Sequence, residues 1–392
     1  MLNEIYLDNS STTPVHPRVA EAVQQALTRD FGNPSSLHAK GLQAERILRQ
    51  SREAVAALLG VRPREVYFTS GGTESNNLAI QGAARAMRRQ GRHLITSRIE
   101  HPSVLNVFRL LEGEGYRVTY LPVNGEGQVD PGAVAEAITE ETTLVSIMHV
   151  NNEVGSVQPV EEIGRLLARA FPGILFHVDA VQSAGKIPFQ PRPVGVHLAS
   201  LSAHKMHGPK GVGALYVKEG TRLKPLVAGG GQEEGLRSGT ENVPGIAGFG
   251  VAARLALESL DSTAGSLRQL KEQLIRGIKS SIPDSRLLGP GGSAGAPHIA
   301  SFSFRGVKGE VLVHFLEAQW IYVSTGAACS SRRRETSHVL AAMGLAPEEA
   351  ETVVRFSFSP YNHAAEVDRV LEVLPGVIKE IRSIYGGQGC TR

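Results

Sequence analysis

The chain is short of cysteine, of aromatic residues and of net charge. Its 392 residues include 2 Cys, at positions 329 and 390, and aromatic residues make up 5%. Two cysteines so far apart argue against a secreted disulfide framework and fit a reducing compartment. The formal charge of +3 is too small to call for nucleic acid or an acidic membrane surface as a partner. No uninterrupted apolar run reaches the roughly 18 residues that a spanning helix needs. The start, Met1-Leu-Asn-Glu-Ile-Tyr-Leu-Asp8, lacks the basic-then-apolar pattern of a signal peptide. The expected setting is therefore the cytoplasm. Hydrophobic residues make up 41%, enough for a sizeable core. The length suggests about two or three domains.

Short apolar runs alternate with amphipathic helical stretches from about residue 17 to 260. Strands are expected at Val66–Thr69, His93–Ser97, Arg117–Val123, Thr143–His149, Ile174–Val178, His197–Leu201 and Gly213–Val217. Helical patterns such as Thr73–Arg89 and Val160–Ala170 lie between the early ones. That alternation predicts an α/β fold with a mainly parallel sheet covered on both faces. The last strands follow one another too closely for a full helix, so an irregular or antiparallel stretch is expected there. A long charged helix over roughly Ser266–Ser280 and the glycine-rich loop Gly289–Pro297 lead toward a second unit. Beyond the loop, strand and helix alternate again.

Asp179 and Lys205 stand out. Each lies at or just past the carboxyl end of an expected strand, the edge where open α/β sheets bind ligands. An acid to hold a pyridinium nitrogen and a lysine to form a Schiff base are what pyridoxal phosphate asks of a protein. Read singly, Asp179 is also a helix cap and Lys205 a solvated lysine. Tyr67-Phe-Thr-Ser-Gly71-Gly72-Thr73 runs from strand through glycines into a helix, which makes either an anion cradle or a plain helix start. A Rossmann dinucleotide fingerprint is missing. Gln182, Ser202 and His204 add polar groups at the same edge. His101, before Pro102, could stack on a flat ring or move protons, or be an ordinary loop histidine. His204 and His207 do not make a zinc set, for want of a nearby cysteine or carboxylate. Arg355, inside a late strand, suits a carboxylate, whether a ligand's or that of a nearby Glu. Cys329 sits in a glycine-containing loop before Arg332-Arg333-Arg334, and cationic neighbours favour its thiolate. Alone it reads equally as an incidental surface cysteine. Cys390 lies in the tail.

Together these segments resemble the pyridoxal-phosphate-dependent cysteine desulfurases, of the iron–sulfur-cluster type, within the class V aminotransferases. The likeness runs through Tyr6-Leu-Asp-Asn-Ser-Ser-Thr-Thr-Pro14, Phe31-Gly-Asn-Pro-Ser35, Thr69-Ser-Gly-Gly-Thr-Glu-Ser75, His149-Val-Asn-Asn-Glu153, His177-Val-Asp-Ala-Val-Gln182, His204-Lys205, Arg237-Ser-Gly-Thr240 and the Cys329 loop. The resemblance implies a fold-type-I transferase with a large domain over 15–260. A small domain would consist of 1–14 with 261–392. It implies that Lys205 anchors the cofactor, Asp179 binds the pyridine nitrogen, Gln182 approaches the ring oxygen and His101 stacks on the ring. Gly72, Thr73, Ser202 and His204 would hold the phosphate, with Thr240 entering from the other subunit of a homodimer. Asn152 would lie beside the cofactor and substrate, Arg355 would take the substrate carboxylate, and Cys329 would be the nucleophile. The implied reaction turns L-cysteine into L-alanine, leaving a persulfide for a sulfur-acceptor protein, whether an iron–sulfur scaffold or a tRNA-thiolation enzyme. A selenocysteine lyase, a cystine C–S lyase and a non-catalytic acceptor-binding partner are the competing expectations.

Overall fold

The computed structural model describes residues 4–326 and 337–386. Cys329, Arg332–Arg334 and Cys390 lie outside the described residues. The strands are β1 Ile5–Tyr6, β2 Val66–Thr69, β3 His93–Ser97, β4 Arg117–Leu121, β5 Thr142–Ser146, β6 Leu175–Asp179, β7 Leu198–Ser202, β8 Gly213–Val217, β9 Ser285–Leu288, β10 Ile299–Phe304, β11 Ile321–Tyr322 and β12 Val353–Ser357. The helices are α1 Pro17–Thr28, α2 Ala39–Leu59, α3 Gly72–Met87, α4 Pro102–Gly113, α5 Pro131–Ala137, α6 Val160–Ala170, α7 Val243–Ser281, α8 Gly309–Glu317, α9 His338–Ala342, α10 Pro347–Ala350 and α11 Ala364–Gly386.

Strands β2 to β8 form one sheet in the order β2-β8-β7-β6-β5-β3-β4. Neighbours from β4 to β7 pair in parallel, whereas β8 pairs antiparallel with both β7 and β2. Only β8 is reversed, so the sheet is mainly parallel. The reversal follows from the short link between Ser202 and Gly213, which leaves no room for a crossover helix. Every residue of β3, β5, β6, β7 and β8 is buried. A sheet covered on both faces requires continuous burial, and the apolar runs supply it. His177, in the middle of β6, is polar. It shares hydrogen bonds with Ser146 Oγ at 2.8 Å and Ser200 Oγ at 3.0 Å on the flanking strands. Burial holds its imidazole neutral, with the pKa down to about 3.

A second core contains Ile5 and Leu7 together with residues of α7, β10, α8, β12 and α11. There β10 pairs antiparallel with β9 and β12, and β1 pairs in parallel with β11. Helix α7 joins the two cores: Val243, Ile246 and Phe249 enter the large one, Leu267, Leu274 and Ile278 the second.

Helix α7 also departs most from expectation. Its carboxyl half was expected from the sequence, but the helix begins at Val243. Glycines 245, 248 and 250 argue locally against a helix, yet packing requires two of them. A Cβ on Gly248 would lie 2.6 Å from Val23 Cγ2 of α1, and one on Gly250 would lie 2.6 Å from Ser51 Oγ of α2. The close approach outweighs propensity. By length and composition alone α7 is apolar enough to cross a membrane, although Arg254 and Glu258 interrupt it, so no uninterrupted apolar run of that length occurs there. Half of its most apolar stretch is buried within the protein.

Candidate active site

Because only β8 is reversed, β2, β3, β5, β6 and β7 all end at one sheet edge. Their following loops deliver Gly72 and Thr73, His101, Asn152, Asp179 and Lys205 to a single cavity of about 320 Å³. Gln182, Ser202, His204 and Arg355 line it as well. The strands were expected from their apolar runs, and their shared polarity gathers residues up to 133 positions apart, from Gly72 to Lys205, while Arg355 comes from β12 of the other sheet.

Asp179 closes β6 and is 5% exposed. Its Oδ2 accepts from Asn76 Nδ2 at 2.7 Å, and its Oδ1 accepts from Val181 N at 3.0 Å. Two donors and burial fix the carboxylate's direction. Lys205 Nζ donates to the carbonyl oxygens of Ser10 and Ser11, the latter at 2.7 Å. Among the described residues that line the cavity, Lys205 carries the sole primary amine. His204 Nδ1 lies 3.2 Å from Thr12 Oγ1, and burial, with Lys205 beside it, lowers its pKa to about 4.

His101 caps α4. Its Nδ1 accepts from Ser103 N at 3.1 Å and lies 2.8 Å from Ser103 Oγ. Since Nδ1 accepts from the backbone, the neutral ring carries its proton on Nε2. Burial pulls its pKa below the ordinary histidine range, against the opposing effect of Asp179. The ring is therefore neutral at physiological pH.

At the amino end of α3, Gly71 takes φ +150°, a backbone state suited to glycine, and provides no side-chain cap. A Cβ on Gly72 would meet Val181 Cγ2 at 2.7 Å. The first amides of this 16-residue helix open beside Thr73 and Ser202, which forms an anion cradle.

Arg355 is 2% exposed. Its Nη1 donates to Asn152 O at 2.6 Å, and its Nη2 donates to Asp8 Oδ1 and Ser11 Oγ, both at 2.7 Å. The ion-pair partner is thus an Asp of the amino-terminal segment rather than a Glu. The Nε atom is buried without a partner, as is Gln182 Oε1. Unsatisfied buried polar atoms point to an absent ligand. An acid, an amine, an anion cradle and an unpartnered guanidinium Nε at one cavity fit a pyridine ring with a phosphate arm and a carboxylate-bearing substrate.

Thr240 is not brought in: it is exposed and does not line this cavity. Cys329 falls outside the described residues. The sequence reading gave no role to Asn76, Ser103, Asp8, Ser10 or Ser11. Asn76 lies within a turn of the expected helix start at Thr73, whereas Ser103 follows Pro102 at the start of α4. The Asp8–Ser11 contacts join residues nearly 200 or 350 positions apart, which no local pattern discloses.

The class-V aminotransferase family profile matches residues 5–370. The cysteine desulfurase IscS of Dictyoglomus turgidum is 44% identical over 384 residues, covering 98% of this chain and 97% of that protein. A solved structure titled NifS-like protein superposes with TM-score 0.90 at 39% identity, over 96% of this chain and 100% of that one. Another, titled SspA in complex with cysteine, gives TM-score 0.80 at 38% identity, over 92% and 100%. With this similarity spanning nearly the whole chain, the protein belongs to the class-V aminotransferase family, among its cysteine desulfurases.

Proposed function

We propose that this chain is a pyridoxal-phosphate-dependent L-cysteine desulfurase that passes the sulfur to Cys329. The convergence of Asp179, Lys205 and Arg355 on one cavity carries the reading. When bound, the cofactor supplies an electron sink for the substrate's Cα and Cβ. Asp179 would hold the pyridine nitrogen, Gln182 would lie toward the ring oxygen, and His101 would cover the ring. Gly72, Thr73, Ser202 and His204 would receive the phosphate, with Thr240 of a second copy completing the site in a homodimer.

The chain's own residues divide the remaining work. Arg355 offers its Nε–H edge to the substrate carboxylate, while Asp8 and Asn152 O hold the guanidinium plane. Lys205 Nζ anchors the cofactor and then moves the proton at the substrate's Cα. The Cys329 thiolate attacks the substrate sulfur. An S–S bond forms as the Cβ–S bond breaks, the bonding pair returns to carbon, and Cβ takes a proton to give alanine. The acceptor would be a sulfur-carrying partner such as an iron–sulfur scaffold or a tRNA-thiolation enzyme. We further propose the division into a large unit over 15–260 and a small one comprising 1–14 and 261–392, which the two hydrophobic cores support.

The test is stoichiometry. With L-cysteine and a thiol reductant, the protein should form alanine and sulfide in equal amounts, and the Cys329→Ser variant should form neither in more than trace. Sulfide release that does not need Cys329 would favour a direct C–S lyase.

A further inference from the structure

Ser337, the first described residue after the stretch that holds Cys329, meets the side chain of Glu153. Ser337 Oγ donates to Glu153 Oε2 at 2.5 Å. The next residue, His338, donates from Nε2 to Glu100 O at 2.8 Å. Glu153 and Glu100 are the immediate neighbours of Asn152 and His101, which line the cavity.

Glu153 is itself firmly held. Its N–H donates to Asn151 Oδ1 at 2.9 Å, and its carbonyl accepts from Ser301 Oγ at 2.5 Å. The residue is 7% exposed. A buried carboxylate is costly without a donor, and Ser337 supplies one. Glu153 does not line the cavity and takes no part in cofactor or substrate binding as proposed above.

We propose that Glu153 is a positioning residue for sulfur transfer: its carboxylate ties Ser337, eight residues after Cys329, to the turn bearing Asn152. This rests on the desulfurase reading, in which Cys329 must meet a substrate bound near Asn152. The clasp acts on the transfer step and leaves substrate binding alone.

The experiment compares holoenzyme carrying Glu153→Ala, Glu153→Gln, Ser337→Ala, Ser337→Thr, or both alanine changes. Cofactor absorption and the half-saturation of the cysteine-induced absorption change should stay within about twofold of the parent in all of them. Single-turnover persulfide formation on Cys329 should fall about tenfold or more in Glu153→Ala and in Ser337→Ala, as expected when a buried hydrogen-bonding group is left without its partner. Glu153→Gln and Ser337→Thr, which keep an acceptor and a hydroxyl, should recover most of the rate. The double variant should be no slower than either single one, because both remove the same contact. Amide exchange at residues 338–342 should quicken in the alanine variants. Persulfide formation at the parent rate in both single variants would overturn the clasp, as would loss of cysteine binding in step with transfer. Should Glu153→Ala fail to fold, the Ser337 pair decides alone. A parent enzyme that never modifies Cys329 would instead condemn the desulfurase reading.

Discussion

Asn76 Nδ2 lies 2.7 Å from Asp179 Oδ2 and 2.8 Å from Ser103 Oγ, so one amide links the buried acid to the serine that holds His101. The residue thought to bind the ring nitrogen and the one thought to cover the ring face are thus oriented by a single side chain of α3. Asn76→Ala should lower kcat roughly ten- to a hundredfold, from loss of a charged hydrogen bond of about 1.5–3 kcal/mol. Asp179→Ala should cost more, up to about 4 kcal/mol, the size of a strong charge–charge effect on a titrating group. Steady-state kinetics at matched cofactor occupancy checks both, and near-normal turnover in Asp179→Ala would contradict the assignment.

Lys205→Ala should lose the covalent attachment of the cofactor and all turnover. Borohydride reduction followed by peptide mapping of the parent should label Lys205. A label on Lys186 or Lys210 would contradict the geometry, because neither lines the cavity.

Arg355→Lys should raise the KM for L-cysteine roughly ten- to a hundredfold with the cofactor spectrum unchanged. A lysine keeps the charge but loses the planar fork that serves Asn152 O, Asp8 and Ser11 together. An unchanged KM would remove Arg355 from substrate binding.

Glu100 offers a test by pH. It is fully buried, and desolvation pushes its carboxyl up to about 8, against hydrogen bonds from Ser97 Oγ and Met148 N. A carboxyl whose folded pKa is raised binds more protons in the folded state, so its contribution to stability falls as pH rises from about 4.5 toward 8. Measured as the difference from Glu100→Gln, which cancels the other titrating groups, the parent should lose relative stability across that window by several kcal/mol. Denaturant unfolding at pH 5, 7 and 9 (roughly the window that linkage sets) would show it. A difference that does not change with pH would mean that Glu100 stays ionised.

Much of this was legible because parallel strands buried on both faces write themselves as apolar runs. Val160–Ala170 and Gly213–Val217 appear as expected, and Asp179 and Lys205 follow from the strand ends. Helix α7 was half hidden, since Gly248 and Gly250 mark close approach to α1 and α2 rather than a break. The part played by Asp8, Ser10 and Ser11 was hidden for another reason. Their motif was recognised, but their partners Lys205 and Arg355 are distant in sequence, and only folding shows the contact.

The most direct test of the central claim is mass spectrometry of the cysteine peptides after incubation with L-cysteine. The account predicts that the Cys329 peptide gains one sulfur atom, that a thiol reductant reverses the gain, and that the Cys390 peptide is unchanged. It also predicts that Cys390→Ser behaves like the parent. Alanine and sulfide formed at full rate with Cys329 unmodified would contradict it.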